Sequence, residues 1–313
     1  MGSLRCPGLM GILSSHRLLV VTGKGGVGKS AIASALALAS ARSGQKTLVC
    51  EVNAKERVSH FLGQPEAGPG VKSLEPNLWA VNVRPQEAMR EYALMRLKIE
   101  ALYQAVFENR LVRYFLRFVP SLAELVMLGK ILYHVREQHP DGTFRFDRVI
   151  IDAPATGHAV TFLNVAQTVL DTVPPGPMSS DARWMRDLLV DPQTTAAILV
   201  SLPEELPVNE TLELAALLRR TVRVRPQVVV LNGAIPTRFS EEEIESLGPD
   251  GELADLLRSH WERSCLTQDS HQILAERLEL PIQVVPRLFE AEFDRKAVEA
   301  LTHHVAPLLE RSR

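Results

Sequence analysis

The run Gly23-Lys24-Gly25-Gly26-Val27-Gly28-Lys29-Ser30 constrains this chain more than any other stretch. Half of its residues are glycine, so its backbone can take dihedrals closed to other residues and approach a ligand closely. An apolar run, Leu18-Leu19-Val20-Val21, precedes it, and a helix-forming run, Ala31 to Ala39, follows it. Strand, glycine loop, helix is the context in which G-x-x-x-x-G-K-[ST] makes a phosphate-binding loop. The loop N–H groups then turn inward and cradle phosphate oxygens. The helix N-terminus adds unpaired donors and a partial positive charge. Lys29 is expected to reach the β and γ phosphates of ATP, and Ser30 to offer its hydroxyl to Mg²⁺. The expected nucleotide-binding set here is Gly23 through Ser30, Val27 included, with Ala31 directly behind it.

The rest of the chain reads as strands alternating with helices. Lys46 to Asn53 reads as a buried second strand, and a strand, helix and strand this close form a right-handed parallel unit. Residues 63–70 are rich in Pro and Gly and read as a loop; Leu78 to Val83 reads as a short strand. Between about 85 and 138 the β signal fades. Tyr92, Met95, Ile99, Leu102 and Val106 recur at helical spacing, as do Leu125, Leu128, Leu132 and Val135, which predicts a helical insertion. Phe146 to Asp152 is a strand ending in a carboxylate. In parallel sheets such a residue lies beside the phosphate loop and can hold Mg²⁺. Residues 164–195 read as irregular, with a short helical piece around Trp184. Strands at Ala196–Ser201, Val228–Leu231 and Ile282–Val285 follow, with helices over residues 240–279 and from about Glu292. The expected architecture is α/β, a mostly parallel sheet flanked by helices, in a single domain spanning residues 1–313.

Composition narrows the functional classes. A formal net charge of −2 gives no basis for generic nucleic-acid binding. The three cysteines, Cys6, Cys50 and Cys265, form no C-x-x-C pair, so neither a disulfide framework nor a cysteine zinc site is expected. That usage fits a reducing cytoplasm. No run of 18 apolar residues suggests a transmembrane helix. Met1 to Ser15 lacks the apolar core of a signal peptide and is expected to be a disordered lead-in.

Lys24, the extra lysine inside the loop, makes it resemble that of the deviant Walker-A ATPases. Within these P-loop NTPases the chain resembles the ArsA family, which includes arsenite-pump ATPases and ATPases that target tail-anchored membrane proteins. The matching blocks are Gly23–Ser30, Glu51–Lys55 as switch I, and Asp152-Ala153-Pro154-Ala155-Thr156-Gly157-His158 as switch II. Pro203-Glu204 with Glu210-Thr211, and Asn232 followed by Pro286, are supporting blocks. The resemblance implies an Mg-ATP-binding ATPase that couples ATP binding and hydrolysis to conformational change and to a client or partner. It implies that Lys24 crosses a dimer interface to the partner's nucleotide, and that Asp152 organises Mg²⁺. It further implies that His158 belongs to a γ-phosphate switch, that Asn232 hydrogen-bonds adenine and that the segment after Pro286 lines the base.

The departures from the family pattern are equally specific. Asn53 stands where the family's switch I carries the aspartate that orients the attacking water. An amide cannot act as a carboxylate base, and that assistance is worth roughly 10²–10⁴-fold. Glu51, two residues earlier on the predicted strand, would face the same side and could substitute in part. The arsenite-binding cysteines and the C-x-x-C clasp have no counterpart here. Two assemblies follow from the resemblance: a homodimer, or a heterodimer with an active paralogue in which this chain is a catalytically weak regulatory subunit. A membrane-protein client or membrane partner is a further expectation.

Overall fold

The computed structural model describes residues 9–97, 121–246, 251–290 and 292–310. Its centre is an eight-stranded sheet, β1 Leu18–Gly23, β2 Thr47–Val52, β3 Lys72–Glu75, β4 Leu78–Val83, β5 Arg148–Asp152, β6 Thr195–Ser201, β7 Pro226–Ala234 and β8 Ile282–Pro286. The order is β3-β4-β2-β5-β1-β6-β7-β8. Every pair is parallel except β3–β4, which is antiparallel at the edge. β1 lies centrally between β5 and β6, so the loop after it opens at the carboxyl ends of the strands, where ligands bind in such sheets.

Alternation along the strands makes two cores. Leu18 and Val20 of β1 join Leu48, Cys50 and Ile151 on one face. Leu19 and Val21 join Val49 and Ile150 on the other. The second face is covered by α1 Lys29–Arg42 and α10 Arg295–Val305, and α2 Val58–Phe61 packs against α1. Every residue of α1 from Ala31 to Ala41 is buried, so small alanines and serines let the helix approach the sheet. Gly44, at φ +87°, ends it in the left-handed conformation expected one residue past the cap.

The first face carries α3 Pro85–Leu97, α4 Leu122–Arg136, α5 Thr156–Thr172, α6 Pro177–Val190 and α7 Glu205–Leu217. α3 and α4 correspond to the expected insertion. Leu125, Leu128, Leu132 and Val135 of α4 are all buried, as their spacing requires. Ile99, Leu102 and Val106 lie outside the described residues, as does the side chain of Met95. Toward β8 lie α8 Glu241–Glu245 and the long α9 Glu252–Leu278.

Three expectations are corrected. Residues 164–195 are not irregular: α5 continues to Thr172, and α6 fills 177–190. The Pro174–Pro177 cluster punctuates the two helices. Pro177 occupies the first helical position, which needs no N–H. Ser179 Oγ accepts from Gly176 N at 2.8 Å, which secures the helix start. The lead-in is also ordered where described. Leu13 is fully buried, and Gly11 N and Leu13 N donate to Pro307 O and Leu308 O at 2.9 Å. The buried Arg148 guanidinium fixes this segment through the carbonyls of His16, Leu13 and Ser14. The edge strand β3 has no counterpart among the expected elements, because its short, charged sequence carries no apolar alternation. Lastly, the closing helix starts at Arg295 because Asp294 caps it, accepting from Lys296 N at 2.9 Å.

Candidate functional site

Strand β1 delivers the glycine loop to the carboxyl edge of the sheet. Gly28 has φ +93°, and a Cβ there would lie 2.4 Å from Asn232 Nδ2, so both conformation and space demand glycine. Lys29 opens α1, and its ammonium donates to Lys24 O at 2.8 Å, bridging back over the loop. Ser30 Oγ donates to Asp152 Oδ2 at 2.6 Å. Asn232 Nδ2 donates to Val27 O at 2.9 Å, tying β7 to the loop. The loop, β5 and β7 thus meet at one point, although Val27 and Asn232 are 205 residues apart.

Electrostatics concentrate here. Burial pushes the Asp152 carboxyl up, opposed by the Ser30 hydrogen bond and by the charges of Lys29 and Arg57. Burial lowers the Lys29 ammonium; Asp152 opposes that and Arg57 adds to it. Asp152 Oδ1 is buried and has no hydrogen-bond partner. Glu51 stands beside Asp152 in register across β2 and β5, and alternation turns both toward the α1 face. Its Oε1 accepts from Arg57 N at 2.7 Å and Val58 N at 3.3 Å, whereas its Oε2 is buried without a partner. Burial, only partly offset by those two bonds, pushes the Glu51 carboxyl up to about 7.

Asn53 does not share that face. β2 ends at Val52, and Asn53 turns into the left-handed region at φ +44°, exposed to solvent. The expectation that Glu51 and Asn53 point the same way is therefore corrected: strand periodicity stops one residue too soon. Beyond Asn53 the chain is fastened by Glu56, which no motif flagged. The buried Glu56 carboxylate accepts from Ala67 N at 2.5 Å and Gly68 N at 2.9 Å. Arg57 was missed likewise, because a single arginine in a polar stretch carries no local signal.

Asp152 leads through Pro154 to the first turn of α5, where Thr156 Oγ1 is buried without a partner and His158 is exposed. Lys24 pairs within its own chain with Glu210 on α7, at 3.1 Å. Beyond the loop a cavity of about 620 Å³ opens beside Ala31, Asn232 and Pro286, with Leu288, Phe293 and Arg263 also lining it. It joins residues that are distant in sequence at the edge of the phosphate loop. Among the described residues, no cluster of three or more His, Cys, Asp or Glu could form a metal site on its own.

A glycine cradle on β1 of a parallel sheet, with the Ser30–Asp152 pair beneath it, defines a P-loop NTPase of α/β architecture. A model of the anion-transporting ATPase family, the ArsA ATPases, matches residues 16–174. The chain belongs to that family. It is 31% identical over 255 residues to the ATPase BagA of Mycobacterium tuberculosis, a match covering 79% of this chain and 74% of that protein. The ATPase GET3B of Arabidopsis thaliana is 22% identical over 88% of this chain and 77% of its own length. The arsenical pump-driving ATPase of Escherichia coli is 25% identical over 70% of this chain and 39% of its own. Among the described residues, no helix is long and apolar enough to cross a membrane.

Proposed function

We propose that this chain binds Mg-ATP between the phosphate loop and the cavity at Pro286 and hydrolyses it slowly, as one half of a dimer. The observation that carries the proposal is the continuity of cradle and cavity. The loop amides and Lys29 can take the phosphates, while the cavity beside Asn232 and Pro286 can take the base. The Lys29 ammonium rests on a backbone carbonyl, an interaction that phosphate oxygens replace with charge-assisted ones.

The residues present suit Mg²⁺. Ser30 Oγ and Asp152 would hold it, and the orphaned, buried Asp152 Oδ1 is a carboxylate oxygen that a cation would satisfy. When bound, the ion would neutralise charge on the β and γ phosphates. The side chains of the cradle do the rest. Lys29 orients the phosphates, and Arg57 lies near enough to Lys29 and Asp152 to shift both, so it adds positive charge on the same side. Thr156, at the start of α5, has a free hydroxyl for a γ-phosphate oxygen, and His158 follows it on the switch. Lys24 holds Glu210 by a part-exposed ion pair of roughly 0–1 kcal/mol, weak enough to exchange for the nucleotide of a partner subunit.

A second reading is favoured by Asn53. Its exposed, left-handed position presents an amide, which cannot take a proton from water as a carboxylate at that position would. On this reading the chain is a regulatory subunit of an active paralogue. Thermal shift and turnover with Mg-ATP separate the two. Binding at 100 times Kd stabilises the fold by about 2.7 kcal/mol. A shift with slow turnover by the pure chain supports an ATPase. A shift with turnover only after a paralogue is added selects the regulatory role, and no shift overturns both.

A further inference from the structure

Among the described residues, another cavity lies on the opposite face of the sheet from α1. It has a volume of about 470 Å³ and sits between α3, α4, α6 and the start of β3. Its size is that of a small-molecule site; its lining combines apolar and aromatic side chains with the charged Glu91, Lys130, Arg145 and Asp181 and the imidazole of His134. Tyr92, Tyr133, Trp184 and Met185 supply the apolar walls. Lys130 supplies the ammonium. Its side chain is 11% exposed, and it donates to Pro69 O and to Glu91 Oε1, both at 2.8 Å. Glu91, by contrast, is 53% exposed. A ligand carboxylate could take its place on Lys130 while Glu91 turns into water. That exchange adds no net charge to the cavity.

Lys130 is also connected to switch I. The carbonyl that it holds, Pro69 O, directly follows Ala67 and Gly68, whose amides bind the Glu56 carboxylate. Glu56 precedes Arg57, whose amide binds Glu51, the register neighbour of Asp152. Hydrogen bonds alternating with short stretches of covalent chain thus join Lys130 to the Glu51 carboxylate, a continuous route along which two sites can be coupled.

We propose that the cavity between α3, α4 and α6 binds a small apolar or aromatic carboxylate through Lys130, and that its occupancy alters nucleotide affinity through the Pro69–Glu56 connection. The binding half stands by itself, whereas the coupling half rests on the nucleotide site proposed above.

Calorimetric titration of the full chain without nucleotide tests the first half, using 4-phenylbutyrate and decanoate, with 4-phenylbutan-1-ol as the neutral control. The expected result is a Kd below about 1 mM for at least one acid and weaker binding of the alcohol. Lys130→Met should weaken the acid about 10- to 100-fold and leave the alcohol unchanged. Lys130→Arg should restore the acid, and Glu91→Gln should tighten it by up to about fivefold. Absence of binding by every acid, or equal binding of acid and alcohol, overturns the site. Binding that Lys130→Met leaves intact does the same. The second half is read from Mg-ATP affinity with and without the acid. A change of about fivefold or more, mirrored in acid affinity measured with Mg-ATP, supports coupling. An unchanged Mg-ATP affinity overturns it. If the chain binds no ATP, the nucleotide reading fails while the nucleotide-free titration still decides the cavity.

Discussion

The phosphate loop and the segment that faces it, residues 53–58, are held by opposite means. The loop is a backbone object. Its path is set by glycines at positive φ, by β1 behind it and α1 ahead, and by an Asn232 side chain that reads a main-chain carbonyl. Residues 53–58 are held by side chains reading the backbone: Glu51 fastens Arg57 and Val58, and Glu56 fastens the chain to Ala67 and Gly68. A backbone-defined loop keeps its shape whatever occupies it. A segment hung on two buried carboxylates can be released by breaking a few hydrogen bonds, which is the freedom that the proposed nucleotide switch requires.

The contrast is open to attack by substitution. The largest effect is expected from Asn53→Asp, which gives the switch a carboxylate: steady-state turnover should rise by roughly 10²–10⁴-fold, or about 3–5 kcal/mol of barrier. An unchanged rate would mean that the Asn53 position does not face the attacking water. Next comes Glu56→Ala. It leaves two amides that the Glu56 carboxylate had bound without an acceptor and should cost about 3 kcal/mol in denaturant unfolding, with the defect confined to residues 53–70 in hydrogen exchange. A loss shared by the whole sheet would show that the carboxylate supports the core rather than the switch. Gly28→Ala should cost about 1–2 kcal/mol of stability from left-handed strain and displace Asn232 from Val27. Equal stability with intact Mg-ATP binding would contradict a glycine-defined cradle. The smallest effect belongs to Lys24→Met, below about 1 kcal/mol of monomer stability, since its ion pair with Glu210 is part-exposed. Its effect on nucleotide-dependent dimerisation, read by sedimentation, should nonetheless be a clear loss.

How much was legible in advance follows the same division. The loop, α1, and the strands at 47–52, 78–83 and 148–152 could be read because their signals are local: glycine spacing, apolar runs and a terminal aspartate. The helices α5 and α6 were obscured because proline and glycine at 174–177 resemble a break when they are in fact a helix start. Strand periodicity carried through Asn53 puts it on the Glu51 side, yet the strand stops at Val52, and the register neighbour of Glu51 is Asp152 on another strand.

The sequence by itself determined the phosphate cradle, because that depends on backbone freedom and on residues close together in the chain, and it pointed to the family through motif blocks spread from Gly23 to Pro286. Only the tertiary structure decided which side chains reach that cradle. Asn232 arrives from β7, Glu210 from α7 and Arg57 from the segment after β2, and Glu56 is fastened to a loop eleven residues on. Such partnerships arise from strand order and helix packing, and no local pattern of residue types encodes the distance between them.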